Sequence, residues 1–401
     1  MSWDLILFEN IYKIPSKNGL YKSSKFEGRG IPIVKMKQQY SQGFINALNS
    51  EFDLIELTKS ELEKNEILVE DLLFSRTSVV AEGVGKCSII KFLSTRTIFD
   101  SNIIRIRMDS NKANSLFYYY YFKSFMGRGV ILSLSNGVNI KTIKSSDLKK
   151  IQAPYPPLKT QKRIADILSA YDDLIENNLK RIKLLEQAAQ NIYKEWFVNL
   201  RFPGYEDTPI IEETGLPEGW EENMLKDLCH LTMGQSPKSE YYNLDNEGLP
   251  FHQGVTGYGN RFVKHSTYCT KITRIAEEGD ILCSVRAPVG RLNISPSKLI
   301  IGRGLSAIRN KNGFQSFQFC QLKNHFYQED MIGGGAIFNS VTKKVLEEQK
   351  LLSPNIELQE EFEKIVIPID DQIVNLDEQN QKLKAARDIL LPRLMNRTIE
   401  V

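Results

Sequence analysis

The stretch that decides the fold is QKRIADILSAYDDLIENNLKRIKLLEQAAQNIYKEWF, residues 161–197. It contains no glycine or proline and few β-branched residues, so little in it opposes an α-helix. Its apolar residues recur alternately four and three positions apart, which is the seam of a coiled coil with one polar break at Asn178. Thr160 is placed to cap the start of this helix. A helix of about 55 Å needs a partner helix along such a seam.

The chain supplies a partner in residues 357–395, ELQEEFEKIVIPIDDQIVNLDEQNQKLKAARDILLPRLM. A shift of 198 residues superposes the Asp-Asp pair at 172–173 on the pair at 370–371 without a gap. The sequence therefore predicts two long helices, over 161–200 and 359–391. They should pack antiparallel, because a domain-helix-domain-helix chain that closes on a twofold axis runs its helices in opposite directions.

Three residues of the second helix depart from a regular seam. Pro368 should kink the helix or delay its start. Arg387 takes the position of Ala189, and Asn380 that of Ile182. We expect weaker helix pairing there, or contact of these polar groups with a partner subunit. The residues assigned to the coiled coil and to subunit docking are Ile164, Leu168, Tyr171, Ile175, Ile182, Leu185, Ile192, Phe362, Val366, Ile369, Ile373, Leu376, Leu383 and Leu390.

The residues outside the helices also repeat. Asp71 to Phe74 (DLLF) is similar to Asp280 to Cys283 (DILC), and both are followed by an arginine-bearing loop and a Val-Gly-basic turn. The expected fold class is α+β, with two pseudo-symmetric globular domains of mixed α/β structure separated by the two antiparallel helices. The predicted segments are a first domain at 1–157, a long helix at 158–203, an extended linker at 204–219, a second domain at 220–354 and a second long helix at 355–401.

The composition is that of an ordinary globular protein. The 401 residues are 41% hydrophobic and 25% charged, and the net charge of +3 is too small to indicate nucleic-acid binding by itself. No apolar run is long enough for a membrane span, and the N-terminus lacks the basic region of a signal peptide. The five cysteines form no CxxC pair, and their odd number argues against a disulfide framework. We expect a cytoplasmic protein without a membrane partner.

No stretch of the sequence predicts an active site. Gly302 to Ala307 (GRGLSA) fits GxGxxA, but no helix N-terminus follows it to receive a phosphate. Ala153 to Pro157 (APYPP) resembles the Pro-Pro-aromatic loop of amino-methyltransferases only superficially, because the order differs and no glycine-rich methyl-donor site accompanies it. The histidines and cysteines lack metal-ligand spacing. We expect a non-catalytic chain that binds no metal.

Basic and polar residues on the predicted loops are the main functional signal. Arginine and glutamine read the edges of guanine and adenine, and lysine and serine more often hold phosphates. For any single residue a solvated loop surface is an equally good interpretation, but the arginine loop recurs in both halves. The candidate DNA-binding residues are Lys35, Lys37, Arg76, Thr77, Ser78, Lys86, Arg96, Gln235, Ser236, Lys238, Gln253, Tyr258, Arg261, Lys264, Arg286, Arg291 and Arg303.

With this repeat and these helices, the chain resembles the specificity (S) subunit of type I restriction-modification enzymes. The resemblance covers essentially the whole chain and is most specific at 161–204, at GLPEGWE (215–221) and at LKAARDILLPRLM (383–395). It implies that each globular domain reads one half of a bipartite site in double-stranded DNA. It also implies a subunit without catalysis, which docks two methyltransferase (M) subunits and the restriction/translocase (R) subunits. S-adenosylmethionine, ATP and Mg would then be bound by those partners and not by this chain.

The repeat also bears on the kind of target. The two domains differ in sequence, so their half-sites should differ and the DNA site should be asymmetric and interrupted. Two other functions stay open. One is a specificity chain that serves a fused nuclease-methyltransferase, and the other is a coiled-coil adaptor whose domains bind proteins. Weak salt dependence of any DNA binding would favour the adaptor.

The first prediction is that the purified chain neither methylates nor cleaves DNA. It offers no candidate methyl-donor site and no acid-base pair for hydrolysis. Transfer of a labelled methyl group from S-adenosylmethionine to DNA, and nicking in the presence of Mg and ATP, would be measured for the chain alone. The same chain mixed with its methyltransferase subunits is the positive control. Methyl transfer by the chain alone would contradict this prediction.

Overall fold

The computed structural model of the chain describes residues 3–41, 43–47, 52–137, 140–328 and 340–401. The chain divides into two units, each of which takes part of both long helices. Unit 1 comprises Met1–Asn178 and Glu378–Val401, and unit 2 comprises Leu179–Asp377. The bounds of the units fall inside the long helices, whereas the predicted segments follow the sequence repeat.

Both predicted long helices are present, and each is 40 residues long. The α-helices of the described residues are α1 (Met36–Ser41), α2 (Lys59–Asn65), α3 (Ser115–Lys123), α4 (Phe125–Ser133), α5 (Ser145–Lys149), α6 (Leu158–Phe197), α7 (Leu225–Leu228), α8 (Gln315–Gln328), α9 (Lys343–Glu347) and α10 (Ile356–Met395).

A buried glutamine closes the start of each long helix. In α6, Nε2 of Gln161 donates to the carbonyl oxygen of Pro156 at 2.8 Å. In α10, Nε2 of Gln359 donates to the carbonyl oxygen of Pro354 at 2.7 Å. Thr160 lies inside the first turn of α6, so the predicted cap at Thr160 is wrong. The two helices start with the same hydrogen bond, as expected of a repeated segment.

Pro368 does not delay the start of α10, which runs unbroken from Ile356 to Met395. The predicted late start is therefore wrong. Proline removes one helical hydrogen bond and leaves the carbonyl oxygen four residues earlier without its partner. Both Pro368 and Lys364, which carries that carbonyl, are exposed, so water can satisfy the oxygen.

In unit 1, the beginning of α6 packs on the end of α10. Ile164 and Leu168 of α6 share one buried cluster with Leu391 and Leu394 of α10. Early residues of one helix thus meet late residues of the other, which requires an antiparallel pair. This core also contains α3, whose six consecutive aromatic residues 117–122 are all buried.

In unit 2, the end of α6 packs on the beginning of α10. Ile182 shares a cluster with Ile373 and Leu376, and the rings of Tyr193 and Phe362 are 6.2 Å apart between centroids. The antiparallel coiled coil is therefore confirmed within each unit. The buried seam residues are Ile164, Leu168, Ile175, Ile182, Phe362, Val366, Ile373 and Leu376, and the half-buried ones are Tyr171, Leu185, Ile192, Ile369, Leu383 and Leu390.

Arg387 finds its partner inside the chain. Its guanidinium forms an ion pair with Asp172 of α6, and the two side chains are 13% and 8% exposed. The other carboxylate oxygen of Asp172 accepts the hydroxyl of Tyr120 at 2.7 Å. The charge that interrupts the apolar seam is thus neutralised within unit 1, and it needs no partner subunit.

Unit 1 contains a four-stranded and a five-stranded sheet. Its strands are β1 (Leu5–Leu7), β2 (Tyr12–Asn18), β3 (Glu27–Val34), β4 (Phe44–Asn46), β5 (Asp53–Ile55), β6 (Glu66–Ile67), β7 (Leu72–Ser75), β8 (Thr77–Ser78), β9 (Cys87–Phe92), β10 (Thr97–Phe99), β11 (Ile103–Met108), β12 (Lys141–Thr142) and β13 (Gln152–Pro154). The strand orders are β5-β3-β10-β6 and β2-β11-β7-β9-β4, with β1-β13 and β12-β8 as separate pairs.

Unit 2 repeats this plan. Its strands are β14 (Glu221–Met224), β15 (Cys229–Met233), β16 (Tyr242–Asn243), β17 (Leu249–His252), β18 (Tyr268–Cys269), β19 (Ile275–Ala276), β20 (Ile281–Ser284), β21 (Leu292–Ile294), β22 (Leu299–Ile301), β23 (Leu305–Asn310) and β24 (Lys350–Ser353). The orders are β16-β18-β17-β22-β19 and β15-β23-β20-β21, with β14-β24 as a pair. In each unit one central pair, β3 with β10 or β17 with β22, is parallel. The α+β fold with two related domains is confirmed.

An aspartate-arginine ion pair links two neighbouring strands in each unit, and the strands are equivalent in the repeat. Nη2 of Arg107 on β11 lies 2.7 Å from Oδ2 of Asp71, just before β7. Nε of Arg309 on β23 lies 2.6 Å from Oδ1 of Asp280, just before β20. The sequence match of DLLF with DILC therefore reflects matching positions in the two sheets.

The linker at 204–219 is not extended, contrary to the prediction. The amide of Ile211 donates to the carbonyl oxygen of Leu216 at 2.8 Å, so the chain turns back on itself. The rings of Phe202 and Trp220, at its two ends, are 5.1 Å apart between centroids. Burying these two aromatic rings against each other outweighs the extended preference of a proline-rich segment.

Asn380 lowers the stability of the seam in unit 1. Its side chain is 1% exposed, and neither amide atom has a hydrogen-bond partner among the described residues. An amide buried without a partner costs about 1–3 kcal/mol. The position that matches it in the repeat, Ile182, is apolar and packs on Ile373.

The second prediction is that Asn380→Ile raises the free energy of unfolding by about 1–3 kcal/mol, because it removes the unpaired amide. Ile182→Asn, the reverse change at the matching position, should lower it by a similar amount. Both would be measured by urea unfolding followed by circular dichroism. A destabilised Asn380→Ile variant would show that the amide is satisfied in solution.

Candidate nucleic-acid interface

In each unit, a glycine and the residue after it form hydrogen bonds to two neighbouring segments beside the parallel strands; we call this place the junction. In unit 1 the amide of Gly19 donates to Ile103 at 3.1 Å, and in unit 2 the amide of Gly234 donates to Leu305 at 2.9 Å. The amides of the next residues, Leu20 and Gln235, donate to the last residues of β10 and β22 at 3.0 and 2.9 Å. The residues that follow, from Tyr21 in unit 1 and from Ser236 in unit 2, therefore start at matching positions of the two folds.

Glycines allow the backbone segments at this junction to come close together. A Cβ atom on Gly234 would lie 2.1 Å from the carbonyl oxygen of Gly302, and a Cβ atom on Gly304 would lie 2.4 Å from that of Gln253. In unit 1, a Cβ atom on Gly19 would lie 2.1 Å from the backbone of residue 99. The GRGLSA stretch is thus explained by close packing of three segments.

In unit 2 the junction gathers several predicted DNA-binding residues. Oγ of Ser236 donates to Oε1 of Gln253 at 2.7 Å and accepts the amide of Arg303 at 3.1 Å. The amide of Val285 donates to Gly304 at 2.9 Å, which brings the next residue, an exposed arginine, to the same edge. We call this group the second polar surface; its residues are Gln235, Ser236, Gln253, Arg286 and Arg303.

The matching surface of unit 1 carries different side chains. The matching hydrogen bonds show that Tyr21 is equivalent to Ser236 in the repeat, and that Lys35 is equivalent to Gln253. The tyrosine is 82% exposed, and sequence reasoning missed it. The alternation of basic and aromatic residues at 17–26 (KNGLYKSSKF) was the signal that could have found it. We call this group the first polar surface; its residues are Leu20, Tyr21, Lys35, Arg76 and Thr77.

The Val-Gly-basic turn is built identically in the two units. Oγ of Ser75 accepts the amide of Lys86 at 2.8 Å, and Oγ of Ser284 accepts the amide of Arg291 at 2.9 Å. Both serines end a buried strand. This confirms the matched position of the two basic residues, although Nζ of Lys86 donates to the carbonyl oxygen of Tyr40 while Arg291 is exposed.

The two predicted arginine loops match with an offset of one residue. The amide of Arg76 donates to the carbonyl oxygen of Asn102, and the carbonyl oxygen of Arg76 accepts the amide of Ile143. Val285 makes the equivalent two bonds, with Gly304 and Val341. Arg286 therefore corresponds to Thr77 and not to Arg76. In extended chain a shift of one residue reverses the side-chain direction, so the two arginines do not occupy equivalent places.

Of the other predicted residues, some have exposed side chains, and others are buried or bonded to other parts of the chain. Tyr258 donates its hydroxyl to Leu282 at 2.9 Å, and burial raises its pKa well above the usual range. Arg96 forms a bidentate pair with Glu66 at 2.7 and 2.9 Å, and Ser78 is buried. The exposed residues are Lys37, Lys238, Lys264 and Arg291.

Two further predicted cations, in addition to Arg96, are held by carboxylates. Lys35 lies 2.9 Å from Glu27 and 3.2 Å from Asp53. Burial lowers the pKa of Lys35, but these two carboxylates outweigh it and raise the pKa. Arg261 is 6% exposed and lies 2.7 Å from Asp370 of α10. Its guanidinium does not point into solvent.

A pair of histidines, His252 buried and His265 half-buried, adjoins the second polar surface in the chain. Nε2 of His252 is 3.0 Å from Nδ1 of His265, whose Nε2 is 3.3 Å from Oγ of Ser297. Burial, together with the neighbouring ring, lowers the pKa of His252 to about 4, and burial also lowers the pKa of His265. The residue after His252 is Gln253, so the neutral pair supports a residue of the surface.

Within the described part of the chain, no group of three or more histidine, cysteine or acidic side chains has the arrangement of a metal site. The free cysteines are buried, and burial raises the pKa of Cys283 and Cys320 to about 12. None of the described helices has the length and apolar character that a bilayer crossing requires.

The two units and their paired helices define a duplicated α+β protein with one polar surface on each repeat. The family model of the type I restriction modification DNA specificity domain matches residues 3–187 and again residues 217–385. A putative type I restriction enzyme specificity subunit of Methanocaldococcus jannaschii, MjaX, is 31% identical over 100% of this chain and 94% of that protein. The MjaIX specificity subunit of the same organism is 28% identical over 70% of this chain and 68% of that protein.

Among solved structures, the S subunit of a type I restriction-modification system from M. genitalium has a similar fold. The TM-score is 0.58, with 17% sequence identity over 98% of this chain and 96% of that one. The chain belongs to the family of type I restriction enzyme specificity subunits.

The third prediction is a loss of stability in acid that depends on His252. The unfolded chain takes up a proton at this residue near pH 6.5, but the folded chain does so only near pH 4. Stability is therefore complete above pH 6.5 and falls by about 3 kcal/mol between pH 6.5 and 4 from this group.

Urea unfolding at a series of pH values would measure this loss. His252→Gln should remove most of its share of the pH dependence, whatever its effect at pH 7. His230→Gln, the same substitution at an exposed histidine of the same unit, is the comparison variant. An unaltered slope in His252→Gln would show that His252 takes up its proton as readily in the folded chain as in the unfolded chain.

Proposed function

We propose that this specificity subunit reads an asymmetric, interrupted sequence in double-stranded DNA, one half-site with each polar surface. The chain performs no catalysis of its own and binds no cofactor. It docks methyltransferase subunits, which bring S-adenosylmethionine, and restriction subunits, which use ATP and Mg. Family membership supports the general role, and the surfaces support the division of the site between the two repeats.

The observation that carries this proposal is the difference between the two polar surfaces on one shared backbone. Matching hydrogen bonds hold both turns, but Ser236 and Gln253 of unit 2 are replaced by Tyr21 and Lys35 in unit 1. A binding surface that served the same ligand twice would keep the same side chains. Two different sets on one scaffold suit two different half-sites.

The chemistry of the second polar surface suits base recognition in the major groove. Glutamine pairs bidentately with adenine, and arginine pairs bidentately with guanine. Gln253 already accepts a hydrogen bond from Ser236, which fixes the orientation of its amide. Arg303 and Arg286 are exposed, so their guanidinium groups are available.

The docking of partner subunits needs faces of the long helices other than the seam. The seam side chains are occupied within the chain. Exposed apolar side chains remain on the helices: Leu174 (51%) and Ile389 (54%) in unit 1, and Leu184 (64%) and Ile367 (47%) in unit 2. Exposed large apolar side chains on an otherwise charged helix are typical of a surface that a partner covers.

The fourth prediction tests the assignment of one half-site to each unit. Arg286→Ala, Arg291→Ala and Arg303→Ala should each affect one half-site only, and Arg76→Ala the other. Loss of a base contact should cost about 1–3 kcal/mol and relax one position, whereas loss of a phosphate contact should weaken all sequences and reduce the salt slope by about one. Methylation of a library of randomised sites by the assembled methyltransferase would measure both effects.

Lys226→Ala removes an exposed charge on α7 of unit 2 and serves as the control. It should leave the preferences of both half-sites unchanged. If the wild-type complex methylates no interrupted sequence, the proposed function is wrong. If the arginine variants keep wild-type preference, affinity and salt slope, the polar surfaces are not the readers.

A further inference from the structure

Arg261 is placed as a link between the second domain and both long helices. Nη2 lies 2.7 Å from Asp370 of α10, and Nη1 lies 4.0 Å from Glu186 of α6. The guanidinium also covers the ring of Phe319 on α8, 3.9 Å from its centroid. One side chain of a domain loop is therefore fixed by two carboxylates and a ring, all within unit 2.

The next residue adds an apolar contact to the same place. Phe262 packs against the buried cluster formed by Ile182 of α6 with Ile373 and Leu376 of α10. The loop thus offers the helix pair a cation and then an aromatic ring. Charge fixes direction, while apolar contact supplies most of the attraction.

The loop that carries these two residues is tied to the sheets of its domain. The carbonyl oxygen of Arg261 accepts the amide of Ile294 at 2.9 Å, and the amide of Lys264 donates to Gly257 at 2.8 Å. Nδ2 of Asn293 donates to the carbonyl oxygen of Gly259 at 3.1 Å. A displacement of the helix pair is therefore transmitted to the sheet instead of being absorbed by the loop.

The same loop begins at the second polar surface. Gln253 belongs to that surface, and Arg261 follows it with only seven residues between them. Tyr258, between them, anchors the middle of the loop through its hydroxyl to Leu282. The side chain that contacts the helices and the side chain proposed to contact DNA thus lie on one anchored segment.

We propose that Arg261 is a positioning residue: it holds the second domain in one orientation on α6 and α10, and so makes the enzyme selective for the number of base pairs between the half-sites. This inference rests on the proposed function. One base pair advances the duplex by about 3.4 Å and turns it by about a tenth of a turn, so a domain that reads a half-site at fixed spacing cannot rock on its support.

A purely stabilising role is the weaker explanation of this ion pair. Buried ion pairs often add little to stability compared with apolar residues of the same volume, and their better attested use is to select one arrangement. Arg309 offers a comparison in the same domain: it is more exposed than Arg261, it also pairs with an aspartate, Asp280, and its described contacts do not include α6 or α10.

The experiment uses the complete methyltransferase, assembled from this chain and its methyltransferase subunits. Substrates carry the two half-sites of the wild-type sequence separated by the natural spacer or by one base pair more or less. The measured quantity is the ratio of methylation rates between natural and altered spacers. The variants are Arg261→Met, Arg261→Lys and Asp370→Asn, with Arg309→Met as the control.

Arg261→Met and Asp370→Asn should lower that ratio by about fivefold or more, the usual lower range of coupling between two sites. The base preferences within each half-site should stay as in the wild type. Arg261→Lys retains the positive charge and should recover part of the ratio. Arg309→Met should keep the wild-type ratio even if the thermal transition of the chain falls.

Two results would overturn the inference. One is a wild-type spacer ratio in Asp370→Asn, whose side chain keeps its size and an amide oxygen that can still accept a hydrogen bond from Arg261, so that it perturbs the fold less than Arg261→Met. The other is an equal loss of the ratio in Arg309→Met, which would make general destabilisation the cause. A wild-type complex that methylates no interrupted site would instead contradict the proposed function itself.

Discussion

The apolar seam between α6 and α10 is the contact on which the rest of the structure depends. In unit 1 it is continuous with the domain core, because Ile164 and Leu391 belong to the cluster that contains the aromatic helix α3. In unit 2 Phe362 joins Tyr193 to the rings that surround Trp220. Each fully buried side chain of this kind contributes about 1.5–3 kcal/mol, so no domain could leave its helices without exposing much of its own core.

Polar groups in and beside the seam give it direction. Apolar side chains alone would tolerate several alignments of two helices. Asp172 with Arg387 in unit 1 favours one alignment of the helices, and Asp370 with Arg261 in unit 2 favours one position of the domain loop on α10, because a largely buried charge left unpaired costs several kcal/mol. The two aspartates occupy matching positions of the repeat, yet one is paired by the opposite helix and the other by a domain loop. The same requirement is met by different means.

Comparison of the repeats separates structural from functional residues. Elements that recur with the same hydrogen bonds hold the fold: the aspartate-arginine pairs of the sheets, the serines of the turns, and Gln161 with Gln359. Other residues occupy equivalent backbone positions but carry different side chains, as Tyr21 and Ser236 do. The fold does not depend on the identity of these side chains. Under the proposed function, this difference on a common scaffold allows each repeat to read its own half-site. The pair of His252 and His265 has no described counterpart in unit 1, where Val34 matches His252.

The sequence by itself determined the two long helices, the duplication and the family, because these depend on periodicity and on gapless repetition that survive in the order of residues. It also placed the buried strands and several residues of the second polar surface. Only the tertiary structure decided what the individual polar side chains do. Arg261 has the sequence surroundings of a surface loop, but folding brings Asp370, 109 residues away, to its guanidinium. Arg76 and Arg286 look equivalent in the sequence, but strand pairing sets them one residue apart. A folded linker and an unbroken α10 at Pro368 were likewise decided by packing and by exposure to water, which local sequence preferences do not contain.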